Sequence, residues 1–335
     1  MPSTRWDVGS GGRPVTAVVM TVVLALWPAL GRAQQPYQGT SVERFYPSAP
    51  GGGWFVMDEL NMSGKPGGTI SLTTGYARNP LQVTNPDGTG RVALVSNQSF
   101  VDVGLAGTWD RFRVYFNIPM PVVVSGQAGT LGGYQLVPPH VNLGANPDEI
   151  SDTRLGFDVR LKGDAGSALR LGAGAQMIIP TGLRDNFDSD GGLRAMFRFL
   201  AAGDLGVISY AGQLGVHLRP YDSTRLAGTP NGSEVLFGMA VGRRFSAGAH
   251  WSVTLGPELF GIIPVHGSTL ESGGLEGLLT TRIEPTGDHS HFRMKLGIGH
   301  SLARYAGSPD WRVVAGIELF GQGQRGSGRS AGERR

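Results

Sequence analysis

Three things are missing from this sequence, and each absence excludes a class of protein. No cysteine occurs among the 335 residues, which excludes disulfide bonds and thiolate metal sites. Charged residues make up only 16% and the formal net charge is +3, which is too small to indicate a nucleic-acid partner. Beyond residue 30 there is no long apolar run, which excludes a bundle of membrane-spanning helices. Apolar residues still reach 40%, so a disordered chain is a poor fit.

The apolar run at residues 15–30 has the features of a secretion signal. Arg5 and Arg13 precede it, and the small residues Gly31 and Ala33 follow it. Its length of about 16 residues is short of the roughly 20 that span a bilayer. These flanks predict a cleaved signal peptide at 1–33 rather than a membrane anchor.

Alternation of apolar and polar residues dominates the rest of the chain. In the stretch from Phe292 to Ile298, and again from Trp311 to Leu319, every second residue is apolar. Side chains at alternate positions lie on one face of a strand, so this stretch predicts a hairpin with one apolar face. The same unit recurs back to about residue 70 and predicts about twelve strands, a normal number for an outer-membrane barrel.

The connections between the predicted strands alternate between long and short. Outer-membrane barrels have short periplasmic turns and longer outer loops, and a soluble sandwich has no reason for this alternation. The sequence therefore predicts an all-β, transmembrane, antiparallel up-and-down β-barrel at 69–320 in the bacterial outer membrane. Residues 34–68, rich in proline and glycine, are interpreted as a periplasmic lead-in that could also enter the barrel mouth. Residues 321–335 are interpreted as a flexible tail.

The cost of charge in lipid decides which face points inward. An arginine or lysine facing the bilayer midplane costs about 2–4 kcal/mol, so the polar face should line the lumen. A water-soluble barrel would carry the same pattern inside out. The residues predicted to face the lumen are Arg154, Asp158, Arg160, Lys162, Arg170, Arg194, Arg198, Arg219, Glu258, Glu276, Arg282, Arg293, Lys295, Arg312 and Glu318. They could neutralise one another and fill the barrel, or form a cationic wall that selects anions.

Several short runs resemble known outer-membrane barrels. The runs Val42–Pro47 (VERFYP), Tyr76–Leu81 (YARNPL), Ile179–Gly182 (IPTG) and Gly256–Leu259 (GPEL) resemble the amino-terminal barrel of OmpA-family proteins of Gram-negative bacteria. Predicted strands five to seven also resemble the meta-pathway phenol-degradation family of outer-membrane barrels. Typical members of the first group continue into a peptidoglycan-binding domain, which the Gly-, Ser- and Arg-rich tail does not resemble. The second resemblance implies transport of small hydrophobic or anionic solutes.

Motifs that could carry chemistry are weak in this sequence. The run Gly328–Gly332 matches the G-x-S-x-G nucleophile pattern, but it lies in the tail without the strand and helix that the motif needs. Asp185, Asp188 and Asp190 could hold a calcium ion weakly, but a solvated turn is the simpler interpretation. The sequence therefore predicts no catalytic residue, no cofactor, no metal site and no enzymatic activity.

Two functions remain open at this point. The first is a structural barrel or passive pore with a largely filled lumen. The alternative is a transporter or porin for small hydrophobic or anionic solutes. In either case we expect contacts with outer-membrane lipid, lipopolysaccharide and the barrel-assembly machinery, and none with nucleic acid. The sequence does not indicate an oligomeric state.

Overall fold

The computed structural model describes residues 39–85, 90–131, 133–145, 147–220, 232–265, 273–286 and 291–321. The predicted signal peptide and nearly all of the predicted tail lie outside these residues. The strands are β1 (Gly67–Thr84), β2 (Arg91–Trp109), β3 (Phe112–Ser125), β4 (Gly129–Leu131), β5 (Tyr134–Leu136), β6 (His140–Asn142), β7 (Thr153–Lys162), β8 (Arg170–Ile179), β9 (Arg194–Leu205), β10 (Ile208–Leu218), β11 (Glu234–Ala247), β12 (Trp251–Pro264), β13 (Gly274–Pro285), β14 (Phe292–Ala303) and β15 (Trp311–Phe320). A short 3₁₀ turn spans Arg184–Asn186.

Twelve of these strands form one closed antiparallel barrel. Each long strand pairs with its neighbours in sequence, and β7 follows β3 in the sheet. The barrel closes where β1 pairs with β15, from Thr69 opposite Phe320 to Arg78 opposite Trp311. This closure pairs β1 with β15, so neither of these two barrel strands is left as an open edge. The predicted twelve-stranded up-and-down barrel is confirmed.

The outer surface of the barrel is apolar. Large side chains point outward on alternate positions, among them Phe199 at 73% exposed, Leu161 at 60% and Ile298 at 59%. A soluble monomer rarely exposes so continuous an apolar surface. Tyr76 and Trp311 pack together near one rim, with ring centroids 5.1 Å apart. Aromatic side chains at the rims are typical of barrels that cross a bilayer.

The strand bounds place the tight turns at one end of the barrel. Residues 110–111, 206–207 and 248–250 join strands there, whereas 126–152, 180–193 and 219–233 join them at the other end. Because periplasmic turns are short, the first end is the periplasmic end and the second is the outer end. The connection 85–90 is shorter than predicted, since β1 continues to Thr84.

Irregular pairing explains why the first strands are hard to read from the sequence. The register between β1 and β2 shifts after Arg78 and again after Leu81. The register between β2 and β3 shifts between Ser99 and Phe100. Each shift moves the side chains that follow to the other face, so the apolar alternation changes parity inside one strand. The bulge or loop expected near Asn97 is therefore a bulged, continuous strand.

Strand β3 changes partner halfway along its length. Its first half pairs with β7, from Phe112 to Asn117. Its outer end pairs instead with the three-residue strand β6, from Val123 to Ser125. Pro119 and Pro121 lie between these two pairings. Proline has no N–H to donate to a neighbouring strand, so a regular ladder cannot continue through them.

Residues 39–62, called the plug below, lie inside the barrel. Trp54, Met57 and Leu60 are fully buried against lumen-facing residues. At the outer end, the Val42 N–H donates to the carbonyl oxygen of Phe187 over 3.0 Å. Residues 39–62 of the predicted 34–68 lead-in thus occupy the lumen, whereas residues 63–66 are exposed before β1 begins. The apolar and acidic side chains of the plug match a lumen that is rich in glycine and arginine.

Candidate functional site: the plugged lumen

The structure buries nearly all of the residues predicted to face the lumen. Those that are buried are Arg154, Asp158, Arg160, Arg170, Arg194, Arg198, Arg219, Glu258, Glu276, Arg282, Arg293, Lys295, Arg312 and Glu318. Lys162 differs, because its side chain is exposed at the end of β7. The pairing with β8 shifts between Arg160 and Lys162, and this irregularity ends the regular alternation.

Ion pairs between strands neutralise much of the basic wall. The Glu318 carboxylate accepts from Arg293 Nη1 and from Lys295 Nζ, each at 2.8 Å. Arg312 Nε donates to Glu276 Oε1, also at 2.8 Å. Buried arginines need such partners, because an unpaired charge in a low-dielectric interior is costly. These contacts favour the mutually neutralised network over a wall of free cations.

Sequence reasoning missed several of the acids that balance these bases. The additional acids that pair with lumenal arginines are Asp102, Asp152, Asp190, Asp204, Glu234 and Glu284. Alternation could have found some of them, since Glu284 follows Arg282 by two residues and so shares its face. Arg113 was also missed, although it lies on the polar face of β3.

The plug contributes its own charges to the network. Asp58 forms an ion pair with Arg113, which also pairs with Asp158 on β7 at 2.7 Å. Glu59 pairs with Arg282 and accepts a hydrogen bond from Ser209 Oγ at 2.9 Å.

Two more pairs hold the outer part of the plug. Arg44 Nη2 lies 3.2 Å from Glu234 Oε1. Glu43 Oε1 lies 3.3 Å from Arg312 Nη1. Ion pairs therefore fix both ends of the plug to the barrel wall.

Glu258 on β12 holds the middle of the plug in a different way. Its carboxylate accepts hydrogen bonds from the backbone N–H groups of Phe55 and Val56 at 2.9 Å and of Met57 at 3.3 Å. Thr280 Oγ1 donates a fourth bond at 2.7 Å. Successive backbone N–H groups form an anion-binding concavity, and such bonds are strong when the acceptor is charged. One wall carboxylate therefore fixes three consecutive plug residues.

Basic wall residues bind the carbonyl groups of the plug. Lys295 Nζ donates to the Trp54 carbonyl oxygen at 3.1 Å. Arg170 Nε donates to the Glu59 carbonyl oxygen at 2.7 Å. Irregular backbone inside a barrel lacks strand partners for these groups, and buried carbonyls need a donor. The arginines and lysine of the lumen thus serve the plug backbone as well as the wall acids.

Glycines on the lumen face make room for the aromatic side chains of the plug. A Cβ atom added at Gly242 would lie 2.5 Å from Trp54 Cη2, too close for any side chain. At Gly297 the added atom would lie 3.0 Å from Phe55 Cε2. The chain contains 54 glycines, and these two are positions where a larger residue would collide with the plug.

A small cavity of about 40 Å³ lies in the outer half of the lumen. Its apolar lining is Phe45, Tyr46, Pro47, Phe100, Pro119, Pro121 and Ile178. Its polar lining is Ser41, Glu43, Gln98, Asp102, Ser151, Asp152, Arg154, Asp188 and Arg194. Plug, outer loops and wall therefore all contribute to one enclosure.

The two loop aspartates near this cavity titrate in opposite directions. Burial raises the pKa of Asp188 to about 8, and nearby Glu149, Asp152 and Glu43 add to the shift, although Ser151 donates to its carboxyl group. Burial also acts on Asp190, but Arg219 and Arg194 outweigh it and lower the pKa of that carboxyl.

The loop aspartates Asp185, Asp188 and Asp190 do not converge on one point in the described structure. Asp190 forms an ion pair with Arg219 at 2.7 Å and accepts the Ser41 N–H at 2.8 Å. Across the described part of the chain, no group of three or more metal-ligating side chains converges. The motif at 328–332 lies outside the described residues. The absence of catalysis stays a prediction.

The barrel is similar to the crystal structure of an outer-membrane channel from Pseudomonas putida F1. The TM-score is 0.51 at 12% identity, covering 76% of this chain and 96% of that chain. The NanC porin structure matches with a TM-score of 0.46 at 8% identity, covering 75% and 98% respectively. No family model matches the chain, and no curated protein does. At these identities the likeness establishes the fold alone.

The closed barrel and its apolar outer surface place the chain in the bacterial outer membrane. The protein is an outer-membrane β-barrel. Among the described residues, no helix is long and apolar enough to cross a bilayer. Since no family model matches, the resemblances to the OmpA family and to the phenol-degradation barrels stay predictions.

Proposed function

We propose that this protein is a gated outer-membrane channel for small solutes, with residues 39–62 as its gate. The plug occupies the lumen in the described structure, with Trp54, Met57 and Leu60 fully buried. Displacing the plug toward either end would open the lumen.

The wall itself supports this proposal over a purely structural barrel. Small barrels without a pore are filled by side chains of their own strands. Here Gly238, Gly242, Gly297 and Gly316 face the plug and contribute no side chain to the lumen. A barrel with such a wall would contain an open passage once the plug left.

The observation that carries the proposal is the contact between Glu258 and the plug backbone. It is one of several contacts between the wall and the plug, and it holds the middle of the plug through hydrogen bonds to Phe55, Val56 and Met57. Hydrogen bonds to a charged group contribute roughly 1.5–3 kcal/mol each. Losing this anchor should shift the balance between closed and open states by well over tenfold.

The test is the conductance of the full chain in planar bilayers. We expect rare, small openings for the wild type and a much higher open probability for Glu258→Ala. Asp204→Asn is the matched control, because in the described structure the Asp204 carboxylate pairs with the wall residues Arg170 and Arg244 and with no plug residue. Its conductance should resemble that of the wild type.

A deletion variant provides a second test in case Glu258→Ala does not fold. Removal of residues 39–62 should give a permanently open barrel that still shows the mobility shift of a folded barrel on unheated gels. If the folded deletion variant does not conduct, the lumen is not a pathway and the barrel is structural.

The same recording addresses the alternative in which the solutes are anionic. The plug carries Glu43, Asp58 and Glu59 against the single base Arg44. When the plug leaves, the wall arginines lose carboxylate partners, so the open lumen should favour anions. A reversal potential for the deletion variant that indicates cation preference would contradict this alternative.

A further inference from the structure

The outward face of the barrel carries a basic and aromatic patch where β1 meets β15, near the outer rim. Arg78 on β1 lies opposite Trp311 on β15 and opposite Asn97 on β2. Its neighbour Ala77 is fully buried on the lumen side, so Arg78 occupies the lipid-facing side of β1. Tyr76 shares that side, and its ring packs against Trp311. This rim patch (Tyr76, Arg78, Asn97 and Trp311) therefore faces away from the plug.

The position of Arg78 along β1 places it at the level of lipid headgroups. Arg78 follows Thr69, the periplasmic end of the pairing with β15, by nine residues. At about 3.3 Å per residue and a tilt of about 40°, the two residues lie roughly 23 Å apart along the membrane normal. The apolar band of an outer-membrane barrel is about 25 Å tall, so Arg78 lies where this band ends on the outer side. The lipid of that leaflet is lipopolysaccharide, whose lipid A anchor carries phosphate groups.

The guanidinium group of Arg78 is held in place without being neutralised. Its Nη1 donates to Asn97 Oδ1 at 2.5 Å, and the Tyr76 hydroxyl donates to the same oxygen at 2.7 Å. No carboxylate among the described residues forms an ion pair with Arg78. An amide oxygen orients the side chain but leaves its charge, so the remaining N–H groups are available to an anion.

The charges beside the rim patch also favour an anion. Asp310 is the neighbouring acid, and its N–H donates to the Arg78 carbonyl oxygen at 2.7 Å. Its carboxylate is already occupied, because it pairs with Arg304 and accepts a hydrogen bond from Asn79 Nδ2 at 2.7 Å. Arg91 acts on the same carboxylate electrostatically. In the described structure, three arginines are therefore set against one carboxylate near the rim patch, which leaves it positively charged.

We propose that the rim patch binds a phosphate group of lipopolysaccharide, with Arg78 donating to the phosphate and with Tyr76 and Trp311 packing against the lipid. The planar fork of an arginine matches the oxygens of a phosphate, which a lysine contacts only as a point charge. Aromatic rings are favoured at this depth of a membrane, since one part is apolar and another is polar. The contact with lipopolysaccharide expected from the sequence thereby acquires a defined place.

Binding at the rim patch has a consequence for the closed barrel. The patch combines residues of β15, β1 and β2, so it is complete only while β1 is paired with β15. A ligand that binds the folded state and not the unfolded state stabilises the folded state. Bound lipid A should therefore stabilise the strand pair that closes the barrel.

The test titrates the folded full chain in detergent with three lipids and measures binding by native mass spectrometry. The lipids are lipid A with two phosphates, lipid A without phosphate, and phosphatidylglycerol, and the first should bind most tightly. We expect Arg78→Gln to weaken binding of the phosphorylated lipid A about tenfold, the effect of losing charge-assisted hydrogen bonding. Arg78→Lys keeps the charge but loses the fork, so its affinity should lie between the two.

Arg243→Gln is the matched control for the position of the charge. Arg243 is also exposed on the outward face of its strand, β11, and lies over the ring of Phe245 at 5.3 Å. It pairs with Ile208, the first residue of β10, and so lies near the periplasmic end, away from the rim patch. Its replacement should leave the affinity for lipid A unchanged.

The outcomes separate a defined site from general attraction between charges. Equal losses of affinity in Arg78→Gln and Arg243→Gln would overturn the proposal, and so would phosphatidylglycerol binding as tightly as phosphorylated lipid A. Lipid A should also raise the temperature at which the folded barrel unfolds on gels, and should do so less for Arg78→Gln. Equal shifts would contradict stabilisation through this patch. None of these measurements depends on conductance, so they stand or fall separately from the channel function.

Discussion

In the periplasmic half of the lumen the plug fills the available space, whereas in the outer half it leaves a cavity. In the first region Asp58 forms a buried ion pair with Arg113, and Glu59 forms one with Arg282. In the second region Gln98 Oε1 has no partner among the described residues. The contrast indicates that the periplasmic half of the lumen contacts the plug more completely than the outer half does.

The strongest test of this contrast removes a base from the filled half. Arg113→Met would leave Asp58 and Asp158 buried without their shared cation, at a cost of about 3–5 kcal/mol. We expect a large fall in the temperature at which the folded barrel converts to the unfolded band on gels.

Arg111→Met is the control for this prediction, because Arg111 lies two residues away with its side chain 54% exposed. Its effect should stay within about 0.5 kcal/mol. Equal conversion temperatures for the two variants would show that the ion pairs of the periplasmic half do not stabilise the plug.

A smaller loss of stability should follow from placing a large side chain at Gly242, where the barrel wall contacts Trp54. Gly242→Leu would collide with Trp54 and displace the plug without removing a charge, at a cost of about 1–3 kcal/mol. We expect a higher open probability in planar bilayers.

Gly107→Leu serves as its control, since a Cβ atom there would have no neighbour within 4 Å. That variant should conduct like the wild type. If Gly242→Leu stays as closed as Gly107→Leu, the contact between Trp54 and the glycine wall does not position the plug.

The smallest expected effect is confined to the outer half and depends on pH. Burial keeps Asp188 protonated in the folded chain up to a pKa of about 8, against an ordinary value of 3.8. A raised carboxyl pKa stabilises the folded loop fully below about pH 4, and this stabilisation is lost as pH rises from about 4 to 8. The acids facing Asp188 are Glu43, Glu149 and Asp152.

Hydrogen exchange of the loop at 180–193 measures this effect. In the wild type, exchange corrected for its intrinsic pH dependence should accelerate as pH rises through this window. Asp188→Asn cannot ionise, so its corrected exchange should be flat. The same slope in both proteins would assign the pH dependence to another group.

The strands and their lumenal face could be predicted from the sequence because a period of two is a direct consequence of strand geometry. Phe157 and Asp158 show this well, since the first faces outward and the second is buried. Bulges limited the prediction, as at Lys162, because one irregular pair changes which face the following side chains occupy.

The plug could not be predicted in the same way. Residues 39–62 form no regular strand or helix, so no periodicity of apolar residues marks them in the sequence. Their acids Asp58 and Glu59 pair with arginines far along the chain, and no local pattern reveals such partners. The unpartnered oxygen of Gln98 is likewise a property of packing, which becomes visible only in three dimensions.

The position of the plug has a consequence for the order in which the barrel assembles. Residue 67 begins β1 directly after the plug, and β1 closes the barrel by pairing with β15, the last strand. Trp54 and Phe55 fit into glycine-lined spaces inside a closed ring. These spaces are accessible from the side while the sheet is still open, so the plug can dock there more easily than it can enter a finished barrel. We therefore expect the amino-terminal segment to enter first, and the seam between β1 and β15 to join around it as the final step of biogenesis.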